Sequence, residues 1–104
     1  METVVGLEKA VATILDLTKP LRIVLFGSRS RVDFINDSDI DLFVIVPDNV
    51  QCKQLLHVIR NRLINPDISY DIFMYTESEF RRKRLEGWRL FEELERDGKI
   101  IYAA

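Results

Sequence analysis

Asp39 and Asp41 stand two residues apart, at the beginning of an apolar run that ends at Val46. In a strand, the period of two turns both carboxylates to one face and Ile40 to the other. Two carboxylates held that close repel each other unless a cation lies between them. Mg²⁺ suits the position, because it prefers hard oxygen ligands and keeps coordination sites open for substrate phosphates. Aspartates also fill ordinary turns, so the pair taken alone more often marks a solvated loop-to-strand junction. Asp71 is a third acid, placed between Tyr70 and Ile72 in an otherwise apolar stretch. A lone buried carboxylate is costly. It calls for a cation, a hydrogen-bond network or an exposed edge, and a solvent-facing place on an edge strand is the plain alternative. Three acids on neighbouring strands would make a two-metal phosphoryl-transfer site.

The segment Phe26-Gly27-Ser28-Arg29-Ser30-Arg31 bears on the same chemistry. Gly27 lets the backbone turn tightly and lets a phosphate come close to the main chain. The residues after it can open a helix whose unsatisfied N–H groups bind anions. The Ser28 hydroxyl adds a donor. Taken alone, a strand followed by Gly-Ser is most often a plain turn. Arg29 and Arg31 could reach a triphosphate or pair with Asp33 or Asp37 instead.

Several elements must position these residues. Val4, Leu7, Val11, Ile14 and Leu15 recur at helical spacing, which predicts an amphipathic helix over residues 3–18. Leu21 to Phe26 reads as a strand buried on both faces, and Asp39 to Val46 as a second strand. Asp48 or Asn49 can cap a helix that carries Cys52, Leu55, Leu56, Ile59 and Leu63 on one stripe. Ile68 to Tyr75 reads as a third strand. The pattern Thr76-x-x-Glu79 predicts a capping box. It opens a last helix carrying Phe80, Trp88, Phe91 and Leu94 and ending near Gly98. Ile100 to Tyr102 can add a short edge strand. Alternating helix and strand patterns imply an α/β chain. The link between the strands of Asp41 and Asp71 is long enough for a helical crossover.

The chain has 104 residues, 47% hydrophobic and 31% charged, which fits one globular domain over residues 1–104. A net charge of −2 gives no bulk attraction to nucleic acid or to an anionic membrane. Cys52 is the only cysteine and His57 the only histidine. An intramolecular disulfide is therefore excluded, and a structural zinc site is not expected. This cysteine usage fits a reduced, cytoplasmic setting. The amino terminus does not read as a signal peptide, and no apolar stretch reaches the ~18 residues of a membrane span. His57 and Cys52 read as structural. Trp88 and Phe91 read as core or interface. Arg81-Arg82-Lys83-Arg84 reads as a basic patch at the start of the last helix, where it opposes the helix dipole. It could meet phosphates, RNA or an acidic partner, or form a solvated face paired with acids such as Glu86.

The combination of Gly27-Ser28, Ser38-Asp39-Ile40-Asp41-Leu42 and a later strand aspartate resembles the DNA polymerase β-like nucleotidyltransferase superfamily. With the short chain and the run from Phe26 to Arg31, it is similar to the minimal nucleotidyltransferase branch. The resemblance implies an α/β (α+β) fold, a small mixed sheet flanked by helices. It implies that Gly27, Ser28 and Arg29 contact the triphosphate of ATP or another nucleoside triphosphate. It gives Asp39, Asp41 and Asp71 the role of catalytic ligands for two Mg²⁺ ions. Asp71 would also help activate the acceptor hydroxyl. The same resemblance implies a hetero-complex in which a helical HEPN protein is the toxin and this chain the antitoxin. In that case AMP would pass to an acceptor on the toxin. A contact-only antitoxin and a subunit of a small-molecule nucleotidyltransferase are the other functions compatible with these residues. One departure stands out: Val32 replaces a glycine common in this branch. Valine does not readily adopt φ > 0, so the loop over residues 31–37 is expected to take another path.

Overall fold

Leu7–Leu17 forms the first helix, α1, with Ala10 and Ile14 fully buried along its inner stripe. The description comes from a computed structural model and covers residues 6–26, 40–64 and 68–104. Among the described residues four strands follow: β1 (Arg22–Phe26), β2 (Ile40–Val46), β3 (Tyr70–Thr76) and β4 (Lys99–Ala103). They form one mixed sheet in the order β3-β2-β1-β4. β1 runs antiparallel to both β2 and β4, and β2 runs parallel to β3. The parallel pair requires a crossover, which helix α2 (Cys52–Arg62) supplies as the sequence led us to expect.

Strand alternation divides the core in two. Ile23 and Leu25 of β1, Leu42, Val44 and Val46 of β2, and Ile72 and Met74 of β3 pack against Ala10, Ile14, Ile59 and Leu63 of α1 and α2. Val24, Phe26, Phe43 and Ile45 face the other way and pack with Phe80, Phe91 and Leu94. These last three belong to helices α3 (Glu77–Leu85) and α4 (Arg89–Asp97). Helices on both faces explain why β1 and β2 are apolar almost without interruption.

Two local expectations change. The last helix is two helices, broken at Glu86-Gly87-Trp88, with Gly87 at φ +76°. The turn brings α4 back over the sheet, where Phe91 meets Phe43 with ring centroids 5.3 Å apart. Asp48 and Asn49 do not cap α2: the N-cap is Gln51, which makes no side-chain capping bond. Asp48 instead accepts the Ser78 backbone N–H at 2.9 Å and the Ser78 hydroxyl, which ties the β2–α2 turn to the start of α3. The Thr76–Glu79 capping box forms in full. β4 ends the sheet beside β1, and Gly98 makes that join possible. A Cβ on Gly98 would collide with the Leu94 carbonyl oxygen and lie 2.8 Å from Val24 Cγ1.

Candidate active site

Asp41 and Asp71 are register partners across the parallel pair β2–β3. Neighbouring strands run about 4.8 Å apart, so the two side chains are lateral neighbours. Alternation places Asp41 on the face of Phe43 and Ile45, and Asp71 on the face of Phe73 and Tyr75. Both carboxylates therefore belong to the α3–α4 side of the sheet. Asp41 is half-buried, while Asp71 is exposed on a strand at the end of the sheet order. Exposure on an edge strand, the plain reading of Asp71, and adjacency to Asp41 hold together.

On its other side, Asp41 is paired with Phe26, the last residue of β1. Phe26 ends β1 and Ile40 begins β2, so the segment carrying the glycine-serine motif is joined covalently to the sheet beside the acids. Gly27, Ser28, Arg29, Arg31, Val32 and Asp39 lie outside the described residues. Phe26, Phe43 and Phe73 form an aromatic floor next to the carboxylates, with centroids 5.8 Å apart for Phe26–Phe73 and 6.5 Å for Phe26–Phe43. Rings of this kind give a negative charge little solvation, so its favourable partners approach from the open side.

Three contacts that no sequence pattern announces fix the strand ends that carry the acids. The Ile40 N–H donates to the Ser69 carbonyl at 2.9 Å, which locks the starts of β2 and β3 together. The Tyr70 hydroxyl donates to the Gly6 carbonyl at 2.9 Å, which joins β3 to the start of α1. Burial pushes the Tyr70 phenol above its ordinary pKa, which keeps this donor protonated. Arg60 of α2 donates to the Ile72 carbonyl at 3.4 Å. Partners as far apart in sequence as Gly6 and Tyr70 leave no periodic trace.

The chemistry of the donors suits a hard divalent cation: two aspartates, oxygen ligands only, side by side on a rigid sheet. Among the described residues, no group of three or more His, Cys, Asp or Glu side chains could enclose a metal. A third ligand would come from Asp39. His57 is exposed on α2, its Nε2 3.3 Å from Asn61 Nδ2. Cys52 is half-buried, and burial together with the nearby Glu79 charge pushes its thiol up.

The basic run differs from expectation. Because α3 ends at Leu85, Arg82, Lys83 and Arg84 occupy its last turn, where positive charge favours the helix dipole rather than opposing it. Arg81 pairs with Glu77 at 3.4 Å and Arg84 with Glu95 of α4. Glu86 accepts a hydrogen bond from Trp88 Nε1 at 2.8 Å instead of pairing with the run. Phe91 is core, as expected. Trp88 lies in the break between α3 and α4, with Lys83 Nζ 3.8 Å from its ring centroid. No described helix is long and apolar enough to cross a membrane.

Comparison with known proteins extends this geometry. Residues 8–103 match the family model described as polymerase beta, nucleotidyltransferase. A chain of a toxin–antitoxin complex crystallised with AMP-PNP is similar in structure, with a TM-score of 0.57 and 23% identity over 93% of this chain and 73% of that one. A chain of the toxin–antitoxin MntA-HpeT, in a mutant form with two Asp→Glu substitutions, gives a TM-score of 0.57 and 21% identity over the same shares. A candidate nucleotidyltransferase from Sulfolobus solfataricus gives a TM-score of 0.50 and 18% identity over 92% of this chain and 72% of that one. At these identities the likeness is one of fold. No curated protein matches the chain by sequence.

Proposed function

The chain belongs to the polymerase β nucleotidyltransferase family, and from that premise we propose that it transfers AMP from ATP to a hydroxyl on a partner protein, acting as an antitoxin. The observation that carries this reading is the in-register pair Asp41–Asp71, joined to the segment of Gly27 and Ser28 through Phe26. Asp39, Asp41 and Asp71 would hold divalent metal, with Mg²⁺ the best fit to an all-carboxylate set. When bound, such ions neutralise charge on the triphosphate and lower the pKa of the acceptor hydroxyl.

The chain's own residues then have separable tasks. Gly27, Ser28 and Arg29 bind the β- and γ-phosphates and orient the α-phosphorus. Asp71, exposed at the sheet edge, faces the direction from which an acceptor can arrive. The acceptor oxygen bonds to the α-phosphorus as the bond to pyrophosphate breaks, and the hydroxyl proton passes to the Asp71 carboxylate and from there to water. Catalysis is chiefly positioning and electrostatic stabilisation. The unbroken β2–β3 register from Ile40 to Val46 and the bonds from Ile40 and Tyr70 supply the necessary rigidity.

Two of the similar structures support the cellular role. One toxin–antitoxin complex was crystallised with AMP-PNP, an adenine triphosphate analogue. The other carries its two Asp→Glu changes at the Asp-x-Asp spacing of Asp39 and Asp41. A helical HEPN-type toxin is accordingly the partner we favour.

Incubating the protein with α-labelled ATP, Mg²⁺ and a HEPN-type protein encoded beside it tests the reading. Label should move to the partner, and an Asp39→Ala, Asp41→Ala double variant should abolish the transfer. Label that persists in the double variant would remove these acids from the site. Neutralisation of the partner without any label would favour the contact-only antitoxin.

A further inference from the structure

Helix α2 carries Lys53, His57, Arg60 and Arg62 and no acidic residue, whereas α1, α3 and α4 each mix both signs. At about 100° per residue, Lys53, His57 and Arg60 fall within roughly 60° of one another around the helix, and Arg62 falls on the far side. Two contacts orient the helix. Arg62 forms an ion pair with Asp16 of α1 at 2.7 Å. Arg60 donates to the Ile72 carbonyl of β3 at 3.4 Å. Lys53, His57 and Arg60 therefore form a stripe on the β3 flank of α2, away from α1. The Ser69 carbonyl faces β2, where it accepts from Ile40, so strand alternation turns the Ile72 carbonyl outward. The stripe thus borders the open edge of β3, and Ile72 directly follows the exposed Asp71.

Structural tasks account for little of this charge. Lys53 stands in the first turn of α2, where a cation opposes the helix dipole. It has no carboxylate partner among the described residues, and neither has Arg60. Arg60 gives one N–H to Ile72 and leaves the rest of its donor fork for another acceptor. The acids on neighbouring elements do not compete for these cations. Asp16 is taken by Arg62, Asp48 by Ser78, Glu77 by Arg81 and Glu79 by Thr76. Glu8 belongs to α1, on the Arg62 flank. Asp71 is turned to the α3–α4 face of the sheet, and Asp67 lies outside the described residues. Along the stripe runs a shallow cavity of about 720 Å³, lined among the described residues by Lys53, Gln54, Leu56, His57, Val58 and Arg60. Val58 is 42% exposed there, so the surface offers an apolar contact framed by cations.

We propose that this flank of α2 is the docking surface for the partner protein, taken up by an acidic segment whose carboxylates meet Lys53, His57 and Arg60. The proposal rests on the reading that the chain acts on a protein partner, and it names the surface that holds that partner. A segment seated there lies along the edge of β3, so it brings an acceptor hydroxyl toward Asp71 from the exposed side. The planar fork of Arg60, already oriented by Ile72, suits a carboxylate. Cations without competing acids select the sign of the partner and steer its approach. A nucleic-acid strand fits less well. Helix α2 presents no aromatic ring on which bases could stack, and the net charge of −2 repels a polyanion.

His57 is the only histidine, so its imidazole NMR signals report on the stripe directly. The full chain is titrated at low salt with three probes: a helical peptide of alanine and glutamate, the same peptide with lysine in place of glutamate, and a single-stranded oligouridine. The glutamate peptide should shift the His57 signals saturably at millimolar concentration or below, and the lysine peptide should leave them in place. Lys53→Glu should weaken the glutamate peptide at least about tenfold. Lys99→Glu, the same charge change on β4 at the opposite edge of the sheet, should bind it as the parent does; circular dichroism checks that each variant folds. Asp41→Asn should also bind it as the parent does, so failure of the catalytic reading leaves this result intact. Unmoved His57 signals, equal weakening by Lys53→Glu and Lys99→Glu, or binding of the lysine peptide or oligouridine as tight as that of the glutamate peptide would overturn the proposal.

Discussion

Asp41 and Asp71 are set in place by different amounts of structure. Asp41 lies within β2, with β1 paired on one side and β3 on the other, so its backbone is held from both directions. Asp71 lies on β3, which has one strand neighbour in the sheet order, and its side chain is exposed. Replacing it should therefore spare the fold. Asp71→Asn is expected to unfold at the parent's denaturant midpoint while AMP transfer falls by roughly 10²–10³-fold, the scale on which removing one transition-state contact acts. Initial rates from α-labelled ATP beside a urea curve check this; a rate near the parent's would take Asp71 out of the mechanism. Both acids were legible in the sequence, because a charged residue inside an apolar strand declares itself. That they are register partners was not, since register between strands joined by a helix is set by packing.

At the scale of elements, α3 is anchored by two devices of different visibility. The Thr76–Glu79 box is local, and the sequence pattern reveals it. The Asp48–Ser78 bonds join residues 30 apart, and nothing near Asp48 announces them. Hydrogen bonds from the Ser78 hydroxyl and backbone N–H, with a smaller contribution from the Arg81 charge, hold the Asp48 carboxyl below its ordinary range. A depressed folded pKa means that the contribution is present above the unfolded value of 3.8. It is lost as pH falls through the folded value. Asp48→Asn should flatten the acid limb of the melting temperature between about pH 5 and pH 2 and leave its neutral slope unchanged. An acid limb identical to the parent's would show that the anchor contributes nothing. The break between α3 and α4 was invisible for a related reason: Phe80, Trp88, Phe91 and Leu94 keep helical spacing through it. Only Gly87, at φ +76°, allows the reversal.

The half of the core between the sheet and α3–α4 meets at Phe43. This residue has no exposed surface, and its ring lies 5.3 Å from Tyr75, 5.8 Å from Phe80 and 5.3 Å from Phe91. It thus joins β2 and β3 to both C-terminal helices, on the same face as Asp41 and two residues along. Phe43→Ala should cost about 3–5 kcal/mol, a large part of the ~5–15 kcal/mol that keeps a domain of this size folded. Urea denaturation measures it. A loss below about 1 kcal/mol, the smallest large-to-small effects seen in cores, would mean that the aromatic cluster re-forms without its centre.

The sequence by itself determined the strands, most of the helices, the acids and the family resemblance, because strand period, helix period, the capping box and the Asp-x-Asp motif all act over a few residues. Tertiary structure decided the rest: the strand order β3-β2-β1-β4, the pairing of Asp41 with Asp71 and the reversal at Gly87. Each of these joins segments distant in the chain, and such contacts form only when burial of both faces of the sheet offsets the entropy of bringing those segments together.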